Sequence, residues 1–255
     1  MFESIRAQIR VVAALTIREM QSQNAKMRFG FAWSVVEVLM YVGVISILRI
    51  FINAFMPPNM PPLTFLILGI LPWLLFMHTY KGVETVITKN KKLLIMPVVT
   101  PLDLVFAKAI QILCVDGGVF LGLVVFSAII ENAGFPRFPL GIILSALAAW
   151  MIGLSFGMVL VPLHRMFPPS RWLLTPIPRI GILTSGLYFV IATLPSSSWK
   201  YFTWNPMLHV IELMRTYWFV TYTSPIASPA FIVECIAGLM LFGLSLERFI
   251  RRVPA

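Results

Sequence analysis

The chain reads as an all-α polytopic membrane protein. It is expected to have six transmembrane helices, an N-terminal amphipathic interface helix, a cytoplasmic coupling helix and an outer re-entrant helical hairpin. Three observations predict this. The 255 residues are 59% hydrophobic and 12% charged, with a mean hydropathy of +0.89, beyond what a soluble domain of this size tolerates. Apolar runs of about 20 residues, the length that crosses a bilayer as a helix, recur along the chain. Charges fall mostly between those runs, with cations dense in alternate gaps. Residues 1–255 therefore form a single transmembrane domain.

The first element is an interface helix over residues 3–23. Ile5, Ile9, Val12 and Leu15 repeat at helical spacing while Arg6, Arg10 and Arg18 face elsewhere, as in a helix lying along the cytoplasmic leaflet. Residues 1–28 are polar and Arg-bearing and lack a small-residue cleavage site, so no cleavable signal is expected. The spans follow at 31–55, 63–80, 102–130, 140–163, 173–194 and 228–246. Pro176, Pro178 and Arg179 leave the beginning of the fifth open.

Placing both termini in the cytoplasm puts Arg6, Arg10, Arg18, Lys26, Arg28, Lys81, Lys89, Lys91, Lys92, Lys108, Arg165, Arg171, Arg248, Arg251 and Arg252 inside. The opposite side keeps Arg137, Lys200 and Arg215, with Arg49 near the outer end of the first span. The net charge of +10 is thus a topological signal, and nucleic acid is not an expected partner.

Two segments do not span. Residues 82–96 have a helix-compatible pattern in which Val83, Val86, Ile87, Leu93, Leu94 and Ile95 are apolar and Lys89, Lys91 and Lys92 cluster, with Pro97 and Pro101 closing it. A loop that only fixes topology has no use for those apolar positions, and a helix docking on a soluble ATPase does. Residues 199–220 are apolar enough to enter the bilayer but carry Asn205, Pro206, His209, Glu212 and Arg215, so a re-entrant hairpin from the outer face is expected. Glu212 and Arg215, three residues apart, can pair and neutralise each other; gating by this group is the second reading.

The chain carries no G-x-x-x-x-G-K-[ST] phosphate loop and no other nucleotide fingerprint. It is therefore expected to be a transport subunit and not an enzyme, binding no cofactor itself; if transport is active, either a partner holds and hydrolyses ATP with its Mg or an ion gradient drives it. Cys114 and Cys235 lack metal-ligand spacing, and His78, His164 and His209 are widely separated. Intramembrane charge is costly, which draws attention to Glu37, Asp116 and Glu234 as conduit lining or interhelical hydrogen-bonding groups. Asp103 and Lys108 read as interfacial anchors. Trp33, Glu37 and Tyr41 recur every four residues on one face of the first span. Such a stripe can stack on sugar rings and hydrogen-bond their hydroxyls, or can simply pack on a neighbouring helix.

Four stretches, in order, resemble the membrane subunit of type-2 ABC exporters, particularly the capsular polysaccharide export permeases of Gram-negative bacteria (KpsM-like). They are MRFGFAWSVVEVL at Met27–Leu39, GILPWLLF at Gly69–Phe76, TSGLYFVIATLP at Thr184–Pro195 and WNPMLHVIELMR at Trp204–Arg215. The resemblance implies a homodimer working with two copies of a separate ABC ATPase in the bacterial inner membrane, together with periplasmic or outer-membrane export partners. It implies a lipid-linked, commonly acidic polysaccharide as cargo. Residues 82–96 would couple to the ATPase through Val83, Val86, Ile87, Lys89, Lys91, Lys92 and Leu93. The conduit, bordered by spans one and five, would take in Trp33, Glu37, Tyr41, Trp73 and Tyr188. The family often has Pro near position 38, where this chain has Glu37-Val38.

Other readings keep the fold and change the cargo: O-antigen, teichoic acid, a small lipid or a drug. An ion-coupled secondary transporter would show internal repeats with paired broken helices, and residues 31–130 and 140–246 show no convincing repeat. A membrane-embedded enzyme would need convergent polar groups that the sequence does not display.

Overall fold

The computed structural model describes residues 2–26, 30–52, 60–96, 98–131, 134–174 and 176–252. Residues 27–29 of the first motif, 53–55 of the first expected span and Pro97 lie outside the described residues. Among the described residues nine α-helices follow in order: α1 Phe2–Lys26, α2 Gly30–Ile52, α3 Pro62–Lys89, α4 Pro101–Ile130, α5 Pro139–Met166, α6 Ser170–Leu174, α7 Pro176–Thr184, α8 Pro206–Trp218 and α9 Pro229–Arg252. Short 3-10 turns occupy Lys91–Ile95, Ile191–Thr193 and Ser196–Tyr201. Every described element is helical.

Proline opens α3, α4, α5 and α8, where its missing N–H costs nothing and its φ is already helical. Helix α4 adds a capping box in which Thr100 and Asp103 exchange side-chain and backbone hydrogen bonds. Helix α8 begins on Asn205, whose side chain accepts from the Met207 N–H at 3.0 Å.

Helix α3 is the hub, packed on both α4 and α5, and it is buried without interruption from Thr64 to Phe76. An apolar surface on all sides is what such a central position demands. Helix α5 carries α8 and α9 on its other faces, and α1 lies along α4. The α3–α5 seam is drawn tight by Gly153 and Gly157. A Cβ at Gly153 would stand 2.7 Å from the Phe76 carbonyl, and one at Gly157 would stand 2.8 Å from Val83 Cβ. Small residues four apart let helix backbones approach in a setting where hydrophobicity alone does not drive association. Trp150 of α5 then donates its indole N–H to the Ala109 carbonyl of α4 at 2.8 Å.

Among the described residues four helices are long and apolar enough to cross a membrane: α3, α4, α5 and α9 as far as Ile250. In α2 the apolar described stretch is the shorter Val35–Ile47. The structure differs from expectation in two places. Residues 63–80 and 82–96 were expected as a span and a separate coupling helix. Instead α3 runs unbroken to Lys89, and only the 3-10 turn at Lys91–Ile95 follows. Buried Val83 and Val86, with Gly82 pressed on Ile112, carry the helix through.

The other difference is the expected fifth span, 173–194, which is not one helix. It comprises the end of α6, α7, a non-helical stretch 185–190 and a 3-10 turn. Gly186 turns the chain at φ +73° just past the end of α7.

Candidate functional site

Three side chains from three helices converge where α2, α3 and α4 meet. His78 Nδ1 lies 2.7 Å from Asp116 Oδ2, and its Nε2 lies 3.4 Å from Glu37 Oε1. All three are partly buried, Asp116 most deeply and Glu37 least. Glu37 sits on α2 between Trp33 and Tyr41, both exposed, so the aromatic–acid–aromatic stripe faces away from this bundle except where Glu37 reaches back to His78. Tyr188 is half-buried and within electrostatic reach of Tyr41. Trp73, expected beside them in the conduit, is instead buried in the core, 5.3 Å from the Phe76 ring and against Gly181. Among the described residues no group of His, Cys, Asp and Glu is arranged to hold a metal ion.

The second polar centre lies under the broken segment. Arg215 is fully buried, with its guanidinium 3.9 Å over the Phe65 ring. It donates to the carbonyls of Gly186 at 2.7 Å, Phe189 at 2.9 Å and Leu187 at 3.3 Å, and pairs with Glu212 at 3.7 Å. Glu212 also accepts from the Ile191 N–H at 3.3 Å and from the Tyr222 hydroxyl. The ion pair expected from the three-residue spacing is present, and its work is to satisfy backbone carbonyls that no helix satisfies. Asn205 donates to Gly181 O at 3.0 Å and Thr184 Oγ1 at 2.9 Å, binding α8 to the end of α7. His209 accepts at Nδ1 from the Ser228 N–H, 3.2 Å, and therefore donates from Nε2 to the Thr203 carbonyl, 2.8 Å, as a neutral ring.

The third region is the basic end of the bundle. Lys89, Lys91 and Lys92 are exposed there, while Ile87 and Leu93 are half-buried against the core. Val83 and Val86, expected on the docking face, are instead buried inside the bundle. Just past the lysines, Ile95, Met96 and Val98 are bare. Helix α1 is bound to this end by polar contacts: Gln8 to Asp103, Glu19 to Lys108 at 3.5 Å and to Asn90 at 3.2 Å, and Arg18 to Asn90 at 3.3 Å. The expected anchors Asp103 and Lys108 are thus fasteners for α1. A cavity of about 410 Å³ opens at this end, lined by Glu84, Lys91, His164, Arg171 and Glu247 among others. His164 bridges Ser170 at 2.6 Å and Glu84 at 3.3 Å, closing its inner wall.

The chain is similar along nearly its whole length to capsule polysaccharide export inner-membrane proteins. It is 26% identical over 249 residues to "Capsule polysaccharide export inner-membrane protein CtrC" of Neisseria meningitidis serogroup B, covering 96% of this chain and 92% of that one. It is 25% identical over 242 residues to "Polysialic acid transport protein KpsM" of Escherichia coli, with 93% and 92% covered. With "Capsule polysaccharide export inner-membrane protein BexB" of Haemophilus influenzae the identity is 24% over 246 residues, covering 95% and 91%. No family model matches the chain.

Sequence reasoning singled out Glu37 and Asp116 from the cost of burying charge, but not the imidazole that joins them. The three positions lie 38 and 41 residues apart along the chain, beyond any local periodicity. It also missed Glu131. This carboxylate, at the end of α4, accepts from the N–H groups of Leu63 and Thr64, each at 2.8 Å, and caps α3 from outside. Glutamate just past an apolar run was the available signal, since an uncapped helix start needs an anion.

Proposed function

We propose that this chain is the membrane-spanning subunit of an ATP-driven exporter that moves a lipid-linked, acidic capsular polysaccharide across the bacterial inner membrane. The observation that carries the reading is the end-to-end likeness to relatives named for capsule polysaccharide export. In this reading the basic end faces the cytoplasm and both termini lie there, as the distribution of Lys and Arg favours. Helix α2 makes a fifth crossing, and the broken segment of α6, α7 and residues 185–194 makes the sixth.

Two copies face each other across a conduit bordered by α2 and the broken segment. The exposed Trp33 and Tyr41, with Glu37 between them and Tyr188 nearby, offer stacking faces and hydrogen-bonding groups that tolerate a varied sugar sequence. Two copies of a separate ABC ATPase, with its own ATP and Mg, dock at the basic end. The contact surface there is Lys89, Lys91, Lys92, Ile95, Met96 and Val98, all on or next to the tip of α3. Because α3 continues past Gly82 to that tip, a push there is carried to His78 and to the faces of α4 and α5 packed on it. Asn205, His209, Glu212 and Arg215 hold the re-entrant region in shape rather than gate it.

The test is co-purification of the chain with its neighbours, followed by transport assay. An ATPase should come down with it, export should be vanadate-sensitive, and deletion should strip polysaccharide from the cell surface. A chain that brings down no ATPase refutes the ATP-driven reading. An unchanged glycan coat with altered drug export reassigns the cargo.

A further inference from the structure

The contacts of His78 set a proton count. Carboxylates at neutral pH only accept hydrogen bonds, and a neutral imidazole carries one N–H. With the shorter contact made from Nδ1–H to Asp116, a neutral ring would turn the bare Nε2 lone pair towards the Glu37 carboxylate. Two acceptors facing each other repel. Both contacts are satisfied only when the trio holds one further proton, whether it sits on Nε2 or on Glu37.

The mechanical setting gives that proton an effect. Of the long helices, α2 has the slightest packing among the described residues, resting on Val38, Val42 and Ile45 while Val36, Leu39, Met40, Val44 and Ile47 are exposed. Among those described residues, Glu37 to His78 is the polar bond between α2 and α3. Asp116 and His78, by contrast, belong to helices already locked together around the core.

The geometry points to a proton-binding site built of Glu37, His78 and Asp116, in which one bound proton clasps α2 to the α3–α4 pair and its loss lets α2 move away. His78 and Asp116 are positioning residues; they act through the side chain of Glu37 and the helix that carries it. The charged groups facing the trio are Lys81 of α3, which acts on Glu37, and Lys108 of α4, which acts on Asp116. Lys81 in turn feels Glu84 and Arg179 of α7. The site is argued from contacts within one chain and does not depend on what the chain exports.

The test reads the position of α2 directly. The full-length chain, with Cys114→Ser and Cys235→Ser, carries nitroxide labels at Val44→Cys and Leu121→Cys, exposed sites on α2 and α4. It is placed in lipid nanodiscs and diluted with unlabelled chain, so that distances are read within one copy. Pulsed electron paramagnetic resonance then follows the label separation from about pH 5 to about pH 10, bracketing any histidine titration.

The wild-type trio should give a short separation at low pH that lengthens as pH rises. Glu37→Gln should stay short at every pH, because its amide N–H can donate to the neutral Nε2 and no extra proton is needed. His78→Phe should stay long at every pH. A wild-type separation that does not change with pH overturns the proposal. So does a Glu37→Gln chain that titrates like the wild type, a result that remains readable even if His78→Phe fails to fold.

Discussion

Arg215 and Glu212 show what a single buried charge costs and what holds it in place. The guanidinium has three carbonyls, a carboxylate and an aromatic face as neighbours, so its charge is spread over groups that themselves need a donor. Removing one partner strands the rest. Arg215→Leu should cost about 3–5 kcal/mol, seen as a lowered midpoint in thermal unfolding of the detergent-solubilised chain. The double variant Arg215→Leu with Glu212→Leu should recover part of that loss, and a double variant no more stable than the single one would count against the pairing. Glu131 makes a smaller case. Glu131→Ala removes three charge-assisted bonds from the start of α3 and should cost about 2 kcal/mol by the same measurement. What sequence makes legible at this scale is cost: an ionised group inside an apolar run must be paired. What it hides is the partner, because His78 reaches Glu37 and Asp116 through tertiary packing, and Glu131 reaches back across two whole helices.

Individual helices were more legible than their boundaries. The starts of α4 at Pro101, α5 at Pro139 and α9 at Pro229 fall within a residue of expectation, because proline and the polar gaps before it mark a helix start. The split at Tyr80–Gly82 was a misreading of composition. Polar residues begin there, but the helix continues because Val83 and Val86 are buried as deeply as the core of the span. The broken segment is apolar throughout yet leaves the helix at Gly186, whose positive φ turns the chain where composition alone reads a continuous span. The α3–α5 seam gives a prediction for this scale. Gly153→Leu should force the helices apart against an unyielding carbonyl, at about 1–3 kcal/mol or more, and should lower the yield of monodisperse protein in size-exclusion chromatography. Gly238→Leu is the control, because a Cβ there meets nothing within 4 Å and the elution profile should not change.

Across the whole molecule, charge and apolar exposure divide into territories. The lysines, the bare Ile95, Met96 and Val98 and the fastened α1 share one end, while the buried ion pair and the Glu131 cap lie far from it along α3. If the proposed ATPase docks here, Ile95→Asp with Met96→Asp should weaken its association in a pull-down while leaving the unfolding midpoint of the isolated chain unchanged, since neither side chain is part of the core. Reversing Lys89, Lys91 and Lys92 to Glu should weaken the same association; wild-type pull-down in both variants would remove this end from the docking surface. The sequence revealed which end was basic, through simple counting, but not which apolar side chains there stay uncovered, because that depends on how α1 and α5 close over Val83 and Val86.

Pro72 lies about midway along the unbroken α3 and lacks the N–H that would continue the hydrogen-bond ladder. A rod pinned at one end by Glu131 and pushed at its lysine tip would swing as one piece, delivering the same rotation to everything it touches. With a joint at Pro72 it becomes two levers in series. The half bearing His78 and the lysine tip can swing while the half against Arg215 stays still, so work done at one face of the membrane need not loosen the seal at the other.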